Sequence, residues 1–412
     1  MFLCLFAAQA AIMSLPLVIA EIAGDLGVST AAAGQVRTVV GLVAGAVSLA
    51  VAARGGHFTL RALLRAGLLL LALGCVAGML APSFVTLCAA QVLIGAAVAL
   101  LIGAAGAAAV CWPAPERRAK ALSVTLLGQP AAWVVGMPIG GLLSEAGWRL
   151  SLVVPLFACA AAAVALRATR ADRSEAATAT AAAAGAPASP LAGLARDRGL
   201  ATWMASELLA MAGWGCALLF AGALLAEEHG VRVSLAAVML GAGAIAYMPG
   251  NQLARRWVET KPRELLVVFG VGTGAAALAL YAVPLSLPLA AIAFALLCFT
   301  GGARVLAGSA AGLRADESMR LAVMSIRGAT MHFGFLVGSA TGGVALAAGG
   351  YPAVGATIGV LFGLAIVPHV VALGGEALSR RSPRPPSAAS RPRRALPRAA
   401  TRAPARSAAS GT

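Results

Sequence analysis

Few residues in this chain could do chemistry, and the scarcity makes each conspicuous. Glu207, in MASELLAMAGWG (204–215), lies about two turns inside an apolar run at 200–225. Arg304, in TGGARVLAG (300–308), is deep in another run, beside Gly301 and Gly302. Arg37 and Arg327 stand early in two further runs, and His332 follows Arg327. A carboxylate surrounded by apolar residues can move a proton between two environments, because burial disfavours its charged form. A guanidinium can pair with that carboxylate or hold an anionic group. The candidates for handling protons are Glu207, Arg304, His332 and Glu21. For Glu21 and nearby Asp25 a loop position beyond the first run is the plainer reading, and for His332 plain packing is. Arg37, Gln91, Trp133, Met211, Trp214, Arg304, Arg327 and Phe335 are the candidates for lining a ligand cavity; helix packing is the alternative for the apolar ones.

No hydrolytic triad, phosphate-binding loop or metal cluster is legible, so no metal, no cofactor and no enzyme activity are expected. The seven cysteines all lie in or at the ends of apolar runs without metal-ligand or CxxC spacing. They read as small packing residues.

The elements that must position these groups follow from composition. Of 412 residues, 60% are hydrophobic and 11% charged, far from the balance of about 25% charged in soluble domains. Apolar runs of about 20 residues recur, the length that crosses a bilayer core. They are apolar on every face, which argues against barrel strands. Twelve runs are legible: 2–22, 32–53, 62–80, 84–110, 121–143, 150–168, 200–225, 235–253, 264–283, 287–312, 321–346 and 353–375. The expected fold is an all-α polytopic membrane protein with twelve transmembrane helices. No basic residue precedes the first run, so a cleaved signal peptide is the weaker reading of it. Trp112, Trp148 and Trp203 sit at run ends and are expected to anchor in the membrane interface.

Lys and Arg collect in alternate loops, including Arg54, Arg61, Arg117, Arg118, Lys120, Arg255, Arg256 and Arg263. By the positive-inside rule these loops and both termini are cytoplasmic. A bacterial inner membrane is the expected location. The net charge of +16 owes much to a tail with nine Arg and no acid after residue 376. Such a tail cannot form a core. It is expected to touch anionic lipid rather than nucleic acid, for which it lacks aromatic residues.

A polar, low-complexity stretch at 169–198 divides the runs six and six. The halves repeat at an offset of 202. Arg54 matches Arg256, Arg61 matches Arg263, Arg118 matches Arg320, Ser123 matches Ser325, Gly136 matches Gly338, and Gly140–Gly141 match Gly342–Gly343. The expected domains are therefore a six-helix bundle at 1–168, a cytoplasmic linker at 169–198, a second bundle at 199–375 and a disordered basic tail at 376–412. Parallel repeats place a substrate site at the midplane between the halves.

Glycine and proline crowd the fifth run, GQPAAWVVGMPIGG (128–141). Gly128, Ala132, Gly136 and Gly140 are spaced by four, which on a regular helix makes one smooth stripe for close helix packing. Pro130 and Pro138 bend the helix. The eleventh run repeats the stripe as Gly334, Gly338 and Gly342.

Here the sequence resembles a family. The segment 114–149 is similar to the fourth-to-sixth-span region of major facilitator superfamily transporters. More narrowly it resembles the twelve-span drug:proton antiporter group, which includes sugar and purine exporters. GMPIGG (136–141) resembles that group's fifth-span motif, carried here by Gly128, Gly136, Pro138, Gly140 and Gly141. EIAGDLGVSTAAAGQ (21–35) resembles its first external loop, and 224–256 the corresponding part of the second half. The cytoplasmic loop motif keeps Arg54, Gly55, Gly56 and Arg61, with Gly250, Arg255 and Arg256 in the second copy. Both copies lack the family's usual Asp, and Gln91 stands where the family usually has Arg. The resemblance implies a monomeric secondary transporter that exports a small organic compound by alternating access in exchange for protons. An uptake symporter, an uncoupled facilitator and a non-transporting receptor or assembly partner remain open at this point.

Overall fold

The computed structural model describes residues 1–53, 58–168, 198–312 and 320–381. Arg54, Gly55 and Gly56 of the loop motif, nearly all of the central linker and most of the tail lie outside them. Among the described residues the chain is helical, with no strand. The reason is the solvent. Within hydrocarbon every backbone N–H and C=O must be satisfied internally, which a helix does within one segment.

The first half runs α1 (Phe2–Leu17), α2 (Ile19–Leu26), α3 (Thr30–Gly34), α4 (Val36–Ala53), α5 (Leu60–Met79), α6 (Phe84–Cys111), α7 (Arg118–Leu126), α8 (Gly128–Ala131), α9 (Met137–Ser144) and α10 (Val153–Ala168). The second runs α11 (Arg198–His229), α12 (Val233–Ile245), α13 (Tyr247–Ala254), α14 (Pro262–Ala282), α15 (Leu287–Gly312) and α16 (Arg320–Arg381). Caps follow local chemistry. Ser29 accepts from the Ala32 N–H at 3.1 Å and Thr59 from Ala62 at 3.2 Å, each satisfying an N–H that helix geometry leaves without a partner. Ser83 and Thr86 form a reciprocal capping box at the start of α6.

Among the described residues ten helices are long and apolar enough to cross a membrane, and α1 with α2 forms an eleventh that is bent by 60°. The sequence reads as one run, 2–22, there. The break follows Pro16, which has no N–H and crowds the carbonyl one turn earlier. At the other end of the chain, α16 covers both of the last two apolar runs. They are separated by non-helical dihedrals at Gly349 and Gly350, the latter with φ 65°, a conformation that glycine adopts without a Cβ clash.

The fifth span also departs from expectation. Between α8 and α9, Ala132–Gly136 form a π turn, which widens the helix and rotates the residues beyond it. The four-residue stripe is therefore broken. Gly128 and Gly136 face α1, against Phe2 and Phe6, whereas Gly140 faces the Ser151 carbonyl in the short 3-10 helix Trp148–Leu152. In the eleventh span the helix is regular, and Gly334, Gly338 and Gly342 all lie on α11, against Met211, Ala212 and Cys216.

The repeat reappears in space. Gly141 of the fifth span packs on Ala237 of the eighth, and its counterpart Gly343 of the eleventh packs on Gln35 at the start of the second. Gly41 of α4 lies against the backbone of His332 and Leu336, and Gly241 of α12 against Trp133 and Pro138. The most deeply buried span among those described is α11, with 83% of its apolar stretch buried.

Trp148 and Trp203 are buried, 4% and 7% exposed, so the interface-anchor expectation fails for both. An anchoring Trp needs one edge in the head-group layer. Trp148 instead donates to Asp25 at 2.9 Å, beside the Arg149–Asp25 ion pair at 2.6 Å.

Candidate functional site

Three helices bring ionised groups together inside the second half. Glu207 is on α11, Arg304 on α15 and Arg327 on α16. Arg304 Nη2 is 2.8 Å from Glu207 Oε1, with side-chain exposures of 3% and 1%. Arg327 donates to the other oxygen, Oε2, from Nε at 3.3 Å and Nη2 at 3.2 Å. It also donates to the Val305 carbonyl at 3.4 Å. Two cations thus share one acid, leaving a local excess of one positive charge. Arg304 Nη1 is buried without a hydrogen-bond partner among the described residues.

Spacing explains the assembly. Gly301, Arg304, Gly308 and Gly312 recur at three and four residues on α15, one face of a helix. Trp214, Glu207 and Trp203 of α11 lie along that face. Gly308 is where the carboxyl group rests: a Cβ there would lie 2.8 Å from Glu207 Cδ. Gly302 does the same for the Tyr247 ring. Neither Gly308 nor Tyr247 is among the sequence candidates.

Of the apolar candidates, Trp133 and Trp214 meet. Their rings stack at 6.2 Å across the two halves, and Tyr247 completes the group at 6.0 and 6.2 Å. Trp133 Nε1 is buried without a partner among the described residues. Met211 packs instead against Gly334. Phe335 lies under the Arg37 guanidinium, 5.0 Å from the ring centroid. His332 is buried on the same helix, and Gln91 is 1% exposed on α6. The second loop copy carries no shared site: Gly250 abuts the Phe299 backbone, and Arg255 donates to Gln252 at 3.0 Å on an exposed face where Arg256 also lies. Arg61 stacks over Trp112 at 5.5 Å.

Contacts between the halves gather toward one end. Thr30 donates to Glu227 at 2.6 Å, Ser234 to Glu145, and Gln35 Nε2 to the Ser339 carbonyl at 3.3 Å. The Thr38 and Ser339 hydroxyls are 2.7 Å apart. Glu21 lies nearby on α2, half-buried, with one carboxylate oxygen lacking a partner. Glu227 lies near the end of α11; at the opposite end, where Arg198 begins it, a cavity of about 610 Å³ opens. Its lining includes Arg198, Thr202, Arg263 and His369, and no acid. Ser206, next to Glu207, contacts His369 Nε2 at 2.9 Å and donates to the Ala365 carbonyl at 2.6 Å. His369 escapes a reading of the sequence because it sits among apolar residues near the end of the last run.

Comparison with known proteins agrees with this architecture. The sequence matches the Major Facilitator Superfamily over residues 1–313 and 203–409. Among solved structures, a bacterial homolog of the human lysosomal transporter Spinster, inward-facing and unoccupied, is similar with TM-score 0.63 and 16% identity, over 92% of this chain and 94% of that one. A mutant of the peptide transporter POT is similar with TM-score 0.69 and 14% identity, over 92% and 94%. A mutant of the nucleoside transporter NupG is similar with TM-score 0.64 and 12% identity, over 90% and 98%. At these identities the likeness is one of fold.

Proposed function

This chain belongs to the major facilitator superfamily, and from that premise we propose that it exports a small organic compound by alternating access, in exchange for protons. It is a multi-pass membrane protein with the fold of a transporter rather than an enzyme. In our reading the bundles 1–168 and 199–375 rock about the Trp133–Trp214–Tyr247 group, joined by the linker 169–198. The tail 376–412 is cytoplasmic, as is the N-terminus, and touches anionic lipid. The protein works as a monomer in a bacterial inner membrane.

The observation that carries the proton step is the Glu207–Arg304–Arg327 trio. Arg327 comes from the span that packs against the other half through Gly41 and Gln35. When the halves rock, that span moves against α11, and Glu207 gains or loses a cation. A buried carboxylate deprived of its cations takes up a proton rather than stay charged in apolar surroundings. Proton binding and conformation are then linked, because a ligand shifts an equilibrium only by its different affinity for the two states. In this reading Asp25, Glu145 and Glu227 lie on the outer side, and the 610 Å³ cavity, lined by Arg198, Arg263 and His369 of the second half, lies at the cytoplasmic end.

The test uses inverted vesicles with an acidic interior and a pH-sensitive dye. Sugars, nucleosides, amino acids and lipophilic drugs are added singly, with Glu207→Gln as the comparison. Collapse of the gradient with one compound, lost in Glu207→Gln, is the expected result. Collapse in both moves the proton site elsewhere. A correctly inserted protein that responds to none of a broad panel favours an uncoupled facilitator or a non-transporting role.

A further inference from the structure

Arg37 is a buried cation without a counter-ion. It is 8% exposed on α4, and among the described residues it has neither a carboxylate nor a hydrogen-bond partner; its polar head rests instead on the Phe335 ring. Gln91, 1% exposed on α6, has an amide nitrogen that is likewise buried without an acceptor. Both side chains line the same small cavity, of about 10 Å³, closed by Ile12 and Leu15 of α1 and by Leu219 of α11. Native proteins rarely leave buried donors unsatisfied, and each exception asks for a reason. Here a cation without a carboxylate among the described residues and an orphaned amide N–H converge on one space, and both lack an acceptor.

We propose that the Arg37–Gln91 cavity is the site for the carboxylate of an organic monocarboxylate with an apolar body. A guanidinium offers a planar fork that matches a carboxylate, and the Gln91 amide supplies a further N–H. One cation balances one negative charge, which disfavours a dianion. Ile12, Leu15, Leu219 and Phe335 leave the rest of the ligand an apolar surround. In the present state the space holds about one water, so the ligand enters only when the halves separate. That is possible because Leu219 and Phe335 belong to the second half and Arg37 and Gln91 to the first. The ligand would then bind an opened state in preference to this one and so shift the halves apart.

This inference rests on the transporter reading and names the class of its substrate. The test is binding to full-length protein in lipid nanodiscs, without a proton gradient, so proton exchange is not needed for a positive result. The probes are benzoate against benzamide and hexanoate against hexanamide, in chloride-free buffer and with chloride added. Wild type should bind each carboxylate at least about tenfold more tightly than its amide, the scale of one charge-assisted hydrogen bond. Arg37→Gln should abolish the preference, and Gln91→Leu should weaken it several-fold. Arg37→Lys, which keeps the charge without the fork, should retain it at lower affinity, and this holds even if Arg37→Gln fails to fold. Equal affinity for acid and amide overturns the proposal. So do an undiminished preference in Arg37→Gln, saturable binding of no carboxylate by folded protein, and chloride binding as tightly as the carboxylates. Any of these leaves gradient-driven exchange of another substrate untouched, just as absence of exchange leaves the carboxylate site standing.

Discussion

Glu207 and Arg304 meet at 2.8 Å with almost no access to solvent, and Arg327 reaches the second carboxylate oxygen from a third helix. Removing one partner of a buried pair strands the other charge, at a cost of about 3–5 kcal/mol. Glu207→Gln strands two cations and should destabilise most. Arg304→Gln should follow. Arg327→Gln removes hydrogen bonds to a carboxylate that keeps its main partner, costing about 1–3 kcal/mol. Thermal melting of purified protein in detergent gives the order, and a largest loss for Arg327→Gln would refute the geometry. The double change Glu207→Gln with Arg304→Met should recover part of the loss, since a stranded charge goes with it.

The contact of Gly308 with the Glu207 carboxyl yields a sharper test, because the substitution is far smaller. Gly308→Ala places a methyl group against the carboxyl group and must push it from Arg304. It should cost about 1–3 kcal/mol by overpacking and should impair proton exchange. Gly106→Ala is the matched control. Nothing lies within 4 Å of its added carbon, and in a helix interior the change should be neutral or stabilising by up to about 1 kcal/mol. Equal melting temperatures for the two variants would be incompatible with the packing described.

Much of this architecture is legible in the sequence, and the limit has a physical cause. Apolar runs, their ends and the repeat are properties of composition, which a bilayer reads directly. That Glu207 pairs with Arg304 or with Arg327 is among the expectations; that it pairs with both is not. Nor is the burial of Trp148. A run that is apolar on all sides carries no periodicity to say which face turns inward. Rotation about the helix axis is then set by partners on other helices. Gly308, Tyr247 and His369 become visible only once α11, α13, α15 and α16 are brought together.

Thr38 and Ser339 offer a test of movement between halves. Their hydroxyls, 2.7 Å apart, join α4 to α16. In a background lacking the seven native cysteines, Thr38→Cys with Ser339→Cys should form a disulfide under mild oxidant, since the side-chain ends they replace are 2.7 Å apart. Transport should stop on oxidation and return with reductant. Unchanged flux with the bond formed, checked by mass spectrometry, would rule out separation of the halves at this point.

The Trp133–Trp214 stack separates stability from ligand handling. Trp214 is 5% exposed and filled in on all sides, so Trp214→Ala should cost about 3–5 kcal/mol. Trp133 is only partly buried, and Trp133→Ala should cost clearly less in melting experiments. It removes the first half's contribution to the stack, and it should raise the KM for whichever compound collapses the gradient by a larger factor than it lowers kcat.

The π turn at Ala132–Gly136 has a mechanical meaning. Two helices that descend from one sequence pattern now differ in stiffness. The eleventh span is a regular rod seated along α11. The fifth carries two prolines and a widened turn, so its hydrogen-bond ladder is already interrupted where rocking would load it. Bending therefore concentrates there, as in a beam notched at one point, whereas the eleventh span acts as a stiff lever that carries displacement along its length to the end where Arg327 sits.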